Sequence, residues 1–476
     1  MAHTAPRGLE GFLQEAGLNI AWQILGQLDT VRQLGPVIRS HRIFYTIFKA
    51  NSLALARAIV SKQIPSRLAH SLFLFLVSAN VSLKDYAMIR NLLTDFAAAS
   101  SIPAAAGVPP FNLPFNLSFS GYYNLSENYA AAKLLVKNMA DETMDIPTKR
   151  LGLTRQSPEI TSQETFRLMR AFLRYQLMCN LFCRNTGEEP NEEANRVRSL
   201  FFSTFSPWVN EQMLCVYAYL ERKVTAAFDD LVAHDVEWGK LGASWDNNAG
   251  DCHHIQRLLS LGLPFLSSIA RADTYEERSR LLKRKLYSRS PTDPRYFPSR
   301  QLRFMAPQED LVQRLHLSHD EDKLESYSPA QLGQFARPSD GAQDGMDSSP
   351  YRVWFATHMG CHVRTCVFNR GDWSLWQCGH VLWDYTDDVS AADLRQKFER
   401  LIREAPEFER YRNTWVKEDL ARSQGQRADI FRAAGRGYWP RSDLDFSRIL
   451  GMDEDEKKRL VEDWQQKKLT FARETT

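Results

Sequence analysis

Thr161 to Arg184 reads TSQETFRLMRAFLRYQLMCNLFCR. Thr161 and Glu164 stand in capping-box spacing, so two backbone N–H groups left over at a helix start can be satisfied reciprocally. Behind them Phe166, Met169, Phe172, Leu173, Leu177 and Leu181 recur at three- and four-residue steps. That pattern predicts one apolar stripe along a long helix. A second long helix is expected from Pro207 to about His234. Ser206 supplies its cap, and Pro207 sits where a missing N–H costs nothing. Trp208, Leu214, Tyr217, Leu220, Val224, Phe228 and Leu231 form its inward face. Ser390 and Asp393 open a third, with Leu394, Phe398, Leu401 and Ile402 on one side. Shorter helices are expected at 20–30, 52–63, 83–97, 127–140, 273–286 and 455–468. Strand alternation is confined to Tyr351–Phe355 and Val363–Phe368. The fold class is therefore mainly α, an irregular multi-helix assembly with few short strands.

The chain's 476 residues correspond to roughly three domain-sized units. Sixty Lys plus Arg against 57 Asp plus Glu give a formal charge of +3. Such a balance excludes a globally basic nucleic-acid coat and an acidic disordered tail. Met1–Leu18 has no apolar run of signal-peptide length behind a basic start. The nearest approach to a membrane span is Leu68–Val81, whose strongest apolar run is Leu72–Val77. A spanning helix needs about 20 such residues, so a buried core helix is expected there. Seven cysteines, an odd set spread along the chain, suggest reduced thiols and no compact disulfide framework. The expectation is a soluble intracellular protein of cytoplasm or nucleus, with no membrane partner.

Pro-rich stretches at 97–122 and 288–299 break the helical pattern, and 331–350 is rich in Gly, Asp, Ser and Pro. The expected division is an N-terminal helical module at 1–96, a helical body at 97–330, a mobile linker at 331–350 and a Trp-rich C-terminal helical region at 351–476.

Ile20 to Phe48 reads IAWQILGQLDTVRQLGPVIRSHRIFYTIF. With Ile24-Leu25, Leu28, Asp29, Leu34 and Val37-Ile38 leading to a helix bearing Phe44 and Phe48, it resembles a degenerate F-box. That resemblance implies a small three-helix module that docks onto the linker subunit of a cullin ubiquitin ligase through apolar anchors, here Ile20, Ile24, Leu25, Leu28 and Leu34. Three further segments are Arg170–Phe182 (RAFLRYQLMCNLF), Phe205–Leu220 (FSPWVNEQMLCVYAYL) and Trp376–Asp384 (WQCGHVLWD). Together they are similar to segments of uncharacterised filamentous-fungal F-box-like helical proteins, in the same order, and so extend the resemblance over most of the chain. The other reading of the N-terminal segment is helix packing alone, since any bundle shows such spacings.

His358, Cys361, His362, Cys366, Cys378 and His380 form the densest set of metal-capable side chains. Zinc takes four nitrogen or sulfur ligands in a tetrahedron, and Cys361 with Cys366 and Cys378 with His380 could supply two pairs. Trp354, Trp373, Trp376 and Trp383 around them favour an aromatic core with incidental thiols. Cys179 and Cys183, at i and i+4, read as small buried hydrophobes. Cys252-His253-His254 and His316 with His319 have no evident partners. Asp229-Asp230 lacks the further acid at i+4, where Ala233 stands, that a magnesium-chelating helix face requires. Arg271–Arg303 has ten Lys or Arg against four acids and could follow a phosphate backbone. The Glu277–Arg280 pair with Leu281 and Leu282 makes the same stretch an ordinary amphipathic helix, so nucleic acid is the weaker reading. No G-x-G-x-x-G, phosphate-binding loop, G-x-S-x-G or H-E-x-x-H occurs. The expectation is a non-catalytic protein-interaction protein without a cofactor, its partner the ligase linker subunit. The competing readings are an enzyme of unknown reaction, for example in fungal secondary metabolism, and a zinc-stabilised helical scaffold.

Overall fold

The computed structural model describes residues 9–81, 85–100, 117–183, 192–236, 253–286, 298, 328–340, 344–358, 375–386, 393, 396–397, 425–437, 439, 446 and 449–474. Its helices are α1 Leu9–Gly26, α2 Leu34–Ser40, α3 Arg42–Gln63, α4 Ser66–Asn80, α5 Tyr86–Ser100, α6 Phe119–Thr143, α7 Ile146–Leu151, α8 Ser162–Phe182, α9 Glu192–Ser203 and α10 Pro207–His234. They continue as α11 His253–Ser260, α12 Leu263–Arg271, α13 Tyr275–Leu286, α14 Pro329–Gly333, α15 Ser349–His358 and α16 Glu454–Glu474. The strands β1 Arg436–Gly437 and β2 Ile449–Leu450 pair antiparallel, with Arg436 opposite Leu450. The mainly helical class holds.

Local chemistry sets two long buried helices, α8 and α10, where the pattern places them. At α8, Glu164 N–H donates to Thr161 Oγ1 at 3.1 Å and Thr161 N–H donates to Glu164 Oε2 at 2.8 Å. At α10, Ser206 Oγ accepts from Val209 N–H and Pro207 opens the first turn. Around α8 pack α4, α6 and α10, while α3 packs on α1, α2 and α6. One continuous apolar core runs from Ala21 and Leu25 in α1 through α8 and α10 to Trp383 and Tyr385. The N-terminal helices, the body and the segment up to residue 385 therefore share it. A smaller core gathers Val236, Ile430, Trp439, Phe446, Ile449 and Trp464.

Three expectations need amending. Tyr351–Phe355, read as a strand, lies within α15. Ser348 Oγ accepts from Tyr351 N–H at 3.3 Å and Pro350 sits in the first turn, a helix start hidden behind the alternating apolar residues. The stretch 331–350, read as a mobile linker, holds the end of α14, a 3-10 turn at Pro338–Asp340 and the start of α15. Its Ser339, Asp340, Asp344 and Ser349 are buried, so polar composition there marks interior pairing and not a solvated tether. Leu68–Val81 is the core-packed α4, as expected, with Leu68, Leu72, Leu74 and Phe75 buried. Among the described residues, the helix with the length and apolar composition of a membrane span is α3. The expected strand Val363–Phe368 and most of the helix from Ser390 lie outside the described residues.

Candidate functional site

Arg167, Arg170 and Arg174 fall at i, i+3 and i+7 on α8, which places them on one helix face. That face points inward: none of the three is more than 4% exposed. Burying a guanidinium is tolerable only where acceptors and countercharges are fixed around it. Residues far along the chain supply them. Arg167 donates through Nε to Asp344 Oδ1 and through Nη1 to Asp384 Oδ1, each at 2.7 Å. Arg170 Nη2 donates to Asp344 Oδ2 at 2.7 Å and to Gln212 Oε1 at 2.8 Å, and its Nη1 donates to Asp340 O at 3.0 Å. Arg174 donates to Asn210 Oδ1 at 2.5 Å and to Val209 O at 3.1 Å. Arg155 Nη2 reaches both oxygens of Glu164, at 3.1 and 2.9 Å, and Glu164 Oε1 also accepts from Asp384 N–H. The cap residue of α8 thus belongs to the same network.

Burial pulls the Arg174 guanidinium down to about 9, helped by its neighbour Arg170 and opposed by Asp340. It keeps its charge at neutral pH. For Arg167 burial acts in the same direction, but Asp344 and Asp384 outweigh it and the net shift is upward. Burial raises the Asp340 carboxyl to about 6 against the pull of the Ser206 and Arg337 N–H groups and of Arg170. Asp384 is also raised by burial, with Arg167 opposing.

A second buried node centres on Glu211, between Asn210 and Gln212 on α10. Glu211 sits between two imidazoles, with His358 Nε2 at 3.2 Å from Oε2 and His380 Nε2 at 3.1 Å from Oε1. Trp376 Nε1–H donates to Glu211 Oε1 at 3.2 Å. On their far sides both rings face carbonyls: His358 Nδ1 is 2.7 Å from Trp354 O and His380 Nδ1 is 3.1 Å from Leu375 O. A carbonyl accepts only, so each Nδ1 carries hydrogen. Each Nε2 then faces a carboxylate oxygen, and a proton there makes an imidazolium–carboxylate contact. Burial alone would raise the Glu211 carboxyl, yet His358 and His380 hold it well below the usual carboxylate range.

Ionic groups are plentiful here, but they are spent on one another. Cys215 is pushed well above the ordinary thiol range by burial and by the Glu211 charge, and Cys183 is pushed up by burial and by Cys179. Neutral thiols of this kind are poor nucleophiles. Cys378, one of the metal candidates, donates to Leu375 O at 3.1 Å. His380, another, has Nδ1 against Leu375 O and Nε2 beside the Glu211 carboxylate. Cys361 and Cys366 lie outside the described residues, as do His316 and His319. Among the described residues no group of three His, Cys, Asp or Glu is placed to hold a metal ion. Cys179 is buried as expected, and His254 stacks on Phe228 with ring centroids 5.6 Å apart. Lys283, in the basic stretch, pairs with Asp235 at 2.5 Å. The arginine face and Glu211 were not singled out in the sequence. The available signal was the Arg167–Arg170–Arg174 spacing on a helix whose apolar residues already suggest burial. No protein-family model, curated protein or solved structure matches the chain.

The five N-terminal anchor residues separate by exposure. Leu25 and Leu34 belong to the core, at 0% and 1% exposed, and Leu28 is half-buried against it. Ile20 and Ile24, at i and i+4 on α1, are 58% and 47% exposed. The turn after α1 is pinned to the body by Val31 N–H donating to Ser126 Oγ at 3.0 Å, and Lys62 Nζ donates to Gln27 O at 2.9 Å. The surface of α1 is consequently held by well-fixed neighbours.

Proposed function

We propose that this chain is a non-catalytic intracellular protein-interaction protein, and that the outer face of α1 serves as an F-box-type dock for the linker subunit of a cullin ubiquitin ligase. The observation that carries the reading is the Ile20–Ile24 pair, two large aliphatic side chains one turn apart and open to solvent on a helix anchored by Leu25. An aliphatic pair at that spacing is the kind of anchor a groove on a partner takes up. The interior ionic groups of the two buried nodes support the same reading, because among the described residues they are already engaged by side chains, carbonyls or backbone N–H groups. The test is affinity purification of the full chain from its own cells with Ile20→Asp and Ile24→Asp as the comparison. Recovery of the linker subunit with the unaltered chain, and its loss with the double variant at unchanged helical circular dichroism, is the expected result. Recovery of no ligase component from well-folded protein overturns the ligase assignment.

A further inference from the structure

Helix α3 has a second, different surface. It carries four Lys or Arg and no Asp or Glu, and only 28% of its most apolar window is buried. Arg42, Tyr45 and Lys49 follow at i, i+3 and i+7 on one exposed side, and Leu53 and Arg57 at i and i+4 continue after a break. Tyr45 is 52% and Leu53 is 44% exposed. Among the described residues Arg42, Lys49 and Arg57 have no acidic partner.

The break is at Asn51, whose φ of −139° and ψ of 26° leave the helical range. Its side-chain amide donates to Ile47 O at 3.5 Å, one turn back. The kink opens a solvent-facing socket of about 350 Å³ lined by Ala50, Leu53, Ala54, Arg57 and Tyr122 of α6. Tyr122 is otherwise buried, and among the described residues its hydroxyl has no hydrogen-bond partner. Arg57 and the enclosed Tyr122 therefore border one small socket together with apolar carbon. A guanidinium only donates and a phenol can donate as well, and a carboxylate is the natural complement of both.

We infer that the kinked outer face of α3 docks an acidic amphipathic segment of a partner protein, one carboxylate entering the socket between Arg57 and Tyr122 while aliphatic neighbours cover Leu53 and Tyr45. Charge complementarity selects the partner's sign, since the face offers unpaired cations and no anion. The socket selects a protein over an anionic bilayer. A recess of about 350 Å³ takes a side chain together with its neighbours on a peptide segment, whereas a lipid surface meets a helix along its outermost line, where here cations interrupt the apolar residues. This inference does not depend on the α1 surface or on the identity of any partner there.

The experiment uses the full chain and a fluorescein-labelled peptide of about four helical turns, with Glu and Leu at three- and four-residue spacings. A twin with Gln for every Glu and phosphatidylserine-containing vesicles serve as controls. The acidic peptide should bind at least about tenfold more tightly than the Gln twin, and added salt should weaken it. Lys49→Glu with Arg57→Glu should abolish binding, and Tyr122→Phe should weaken it several-fold, both at an unchanged circular dichroism spectrum. Equal binding of the two peptides, no binding of either, or indifference to the Arg57 and Lys49 changes overturns the inference. So does vesicle binding without peptide binding, which would make the face a lipid surface.

Discussion

Arg167 and Asp344 are 177 residues apart in sequence and meet at 2.7 Å, with neither side chain more than 1% exposed. Because the pair is buried, its worth shows mainly when one partner is removed. Arg167→Ala leaves Asp344 and Asp384 short of a countercharge, and Asp344→Ala strips both Arg167 and Arg170. Each should lower stability by about 3–5 kcal/mol. Chemical denaturation of both single variants and the double should show strong non-additivity, the double costing less than the sum. Additive losses would mean the two side chains are not coupled.

Glu211 offers a sharper comparison. Glu211→Ala opens a cavity and leaves two imidazoles without their shared acceptor, which should cost about 3–5 kcal/mol. Glu211→Gln keeps the volume, and its amide can donate to one Nε2 while its oxygen accepts from the other ring. It should cost clearly less than Ala. Imidazole proton resonances followed by NMR should shift in both variants, and equal stability of Ala and Gln forms would argue against the hydrogen-bonded arrangement.

The pH response of Asp340 has a definite sign. Its carboxyl is raised to about 6 from 3.8, so the folded protein holds this proton more tightly than the unfolded chain. Stability from this group is therefore full below about pH 4 and declines as pH rises toward and through 6. The loss is on the order of 3 kcal/mol at neutral pH. Glu211 works in the opposite sense, contributing above the ordinary carboxylate range and losing that contribution only at far lower pH. Denaturation midpoints of Asp340→Asn between pH 4 and 7 should fall less steeply than those of the unaltered chain. A parallel pair of curves would show that Asp340 does not titrate in that window.

Leu25 and Ile20 separate folding from surface chemistry on one helix. Leu25→Ala removes a fully enclosed side chain and should cost about 2–5 kcal/mol. Ile20→Ala should stay within about 0.5 kcal/mol. Thermal unfolding of the two variants side by side checks this, and a large loss for Ile20→Ala would mean its exposed position has been misread.

Thiol chemistry gives a further check on the interior. Cys179, Cys183, Cys215 and Cys378 are buried thiols outside any disulfide. Alkylation with iodoacetamide, mapped by mass spectrometry, should leave these four unmodified in the native protein and modify them in denaturant. Native labelling of Cys215 would show that the Glu211 region opens to solvent.

The parts of the fold that were legible in the sequence are those whose cause is local. The Thr161–Glu164 box and the Ser206-Pro207 start each act within four residues, and both helices begin where those residues stand. What stayed hidden has partners at long separation. Arg167, Arg170 and Arg174 read as the polar side of an amphipathic helix until Asp344, Asp384 and Asn210 are brought to them. For the same reason the Asp- and Ser-containing stretch around Asp340 reads as a tether, although its carboxylates face the interior. Tyr351–Phe355 shows the limit of a short window, since five residues of alternating size fit one turn of helix as well as a strand. The exposure of Ile20 beside the enclosed Leu25 was equally illegible, because which side of α1 meets α3 is decided by packing.

The arginine face of α8 also sets an order of events for the nascent chain. Residues 162–182 leave the ribosome long before Asp344, Asp384 and His380 are translated. Until those arrive, α8 cannot enter a dry interior without stranding positive charge there, so it must wait, loosely associated, for material more than 160 residues downstream. The centre of this protein is therefore completed late, once the segment up to Asp384 is available. Prematurely terminated products ending before residue 344 should become substrates for chaperones and proteases, even though their longest helices are already encoded.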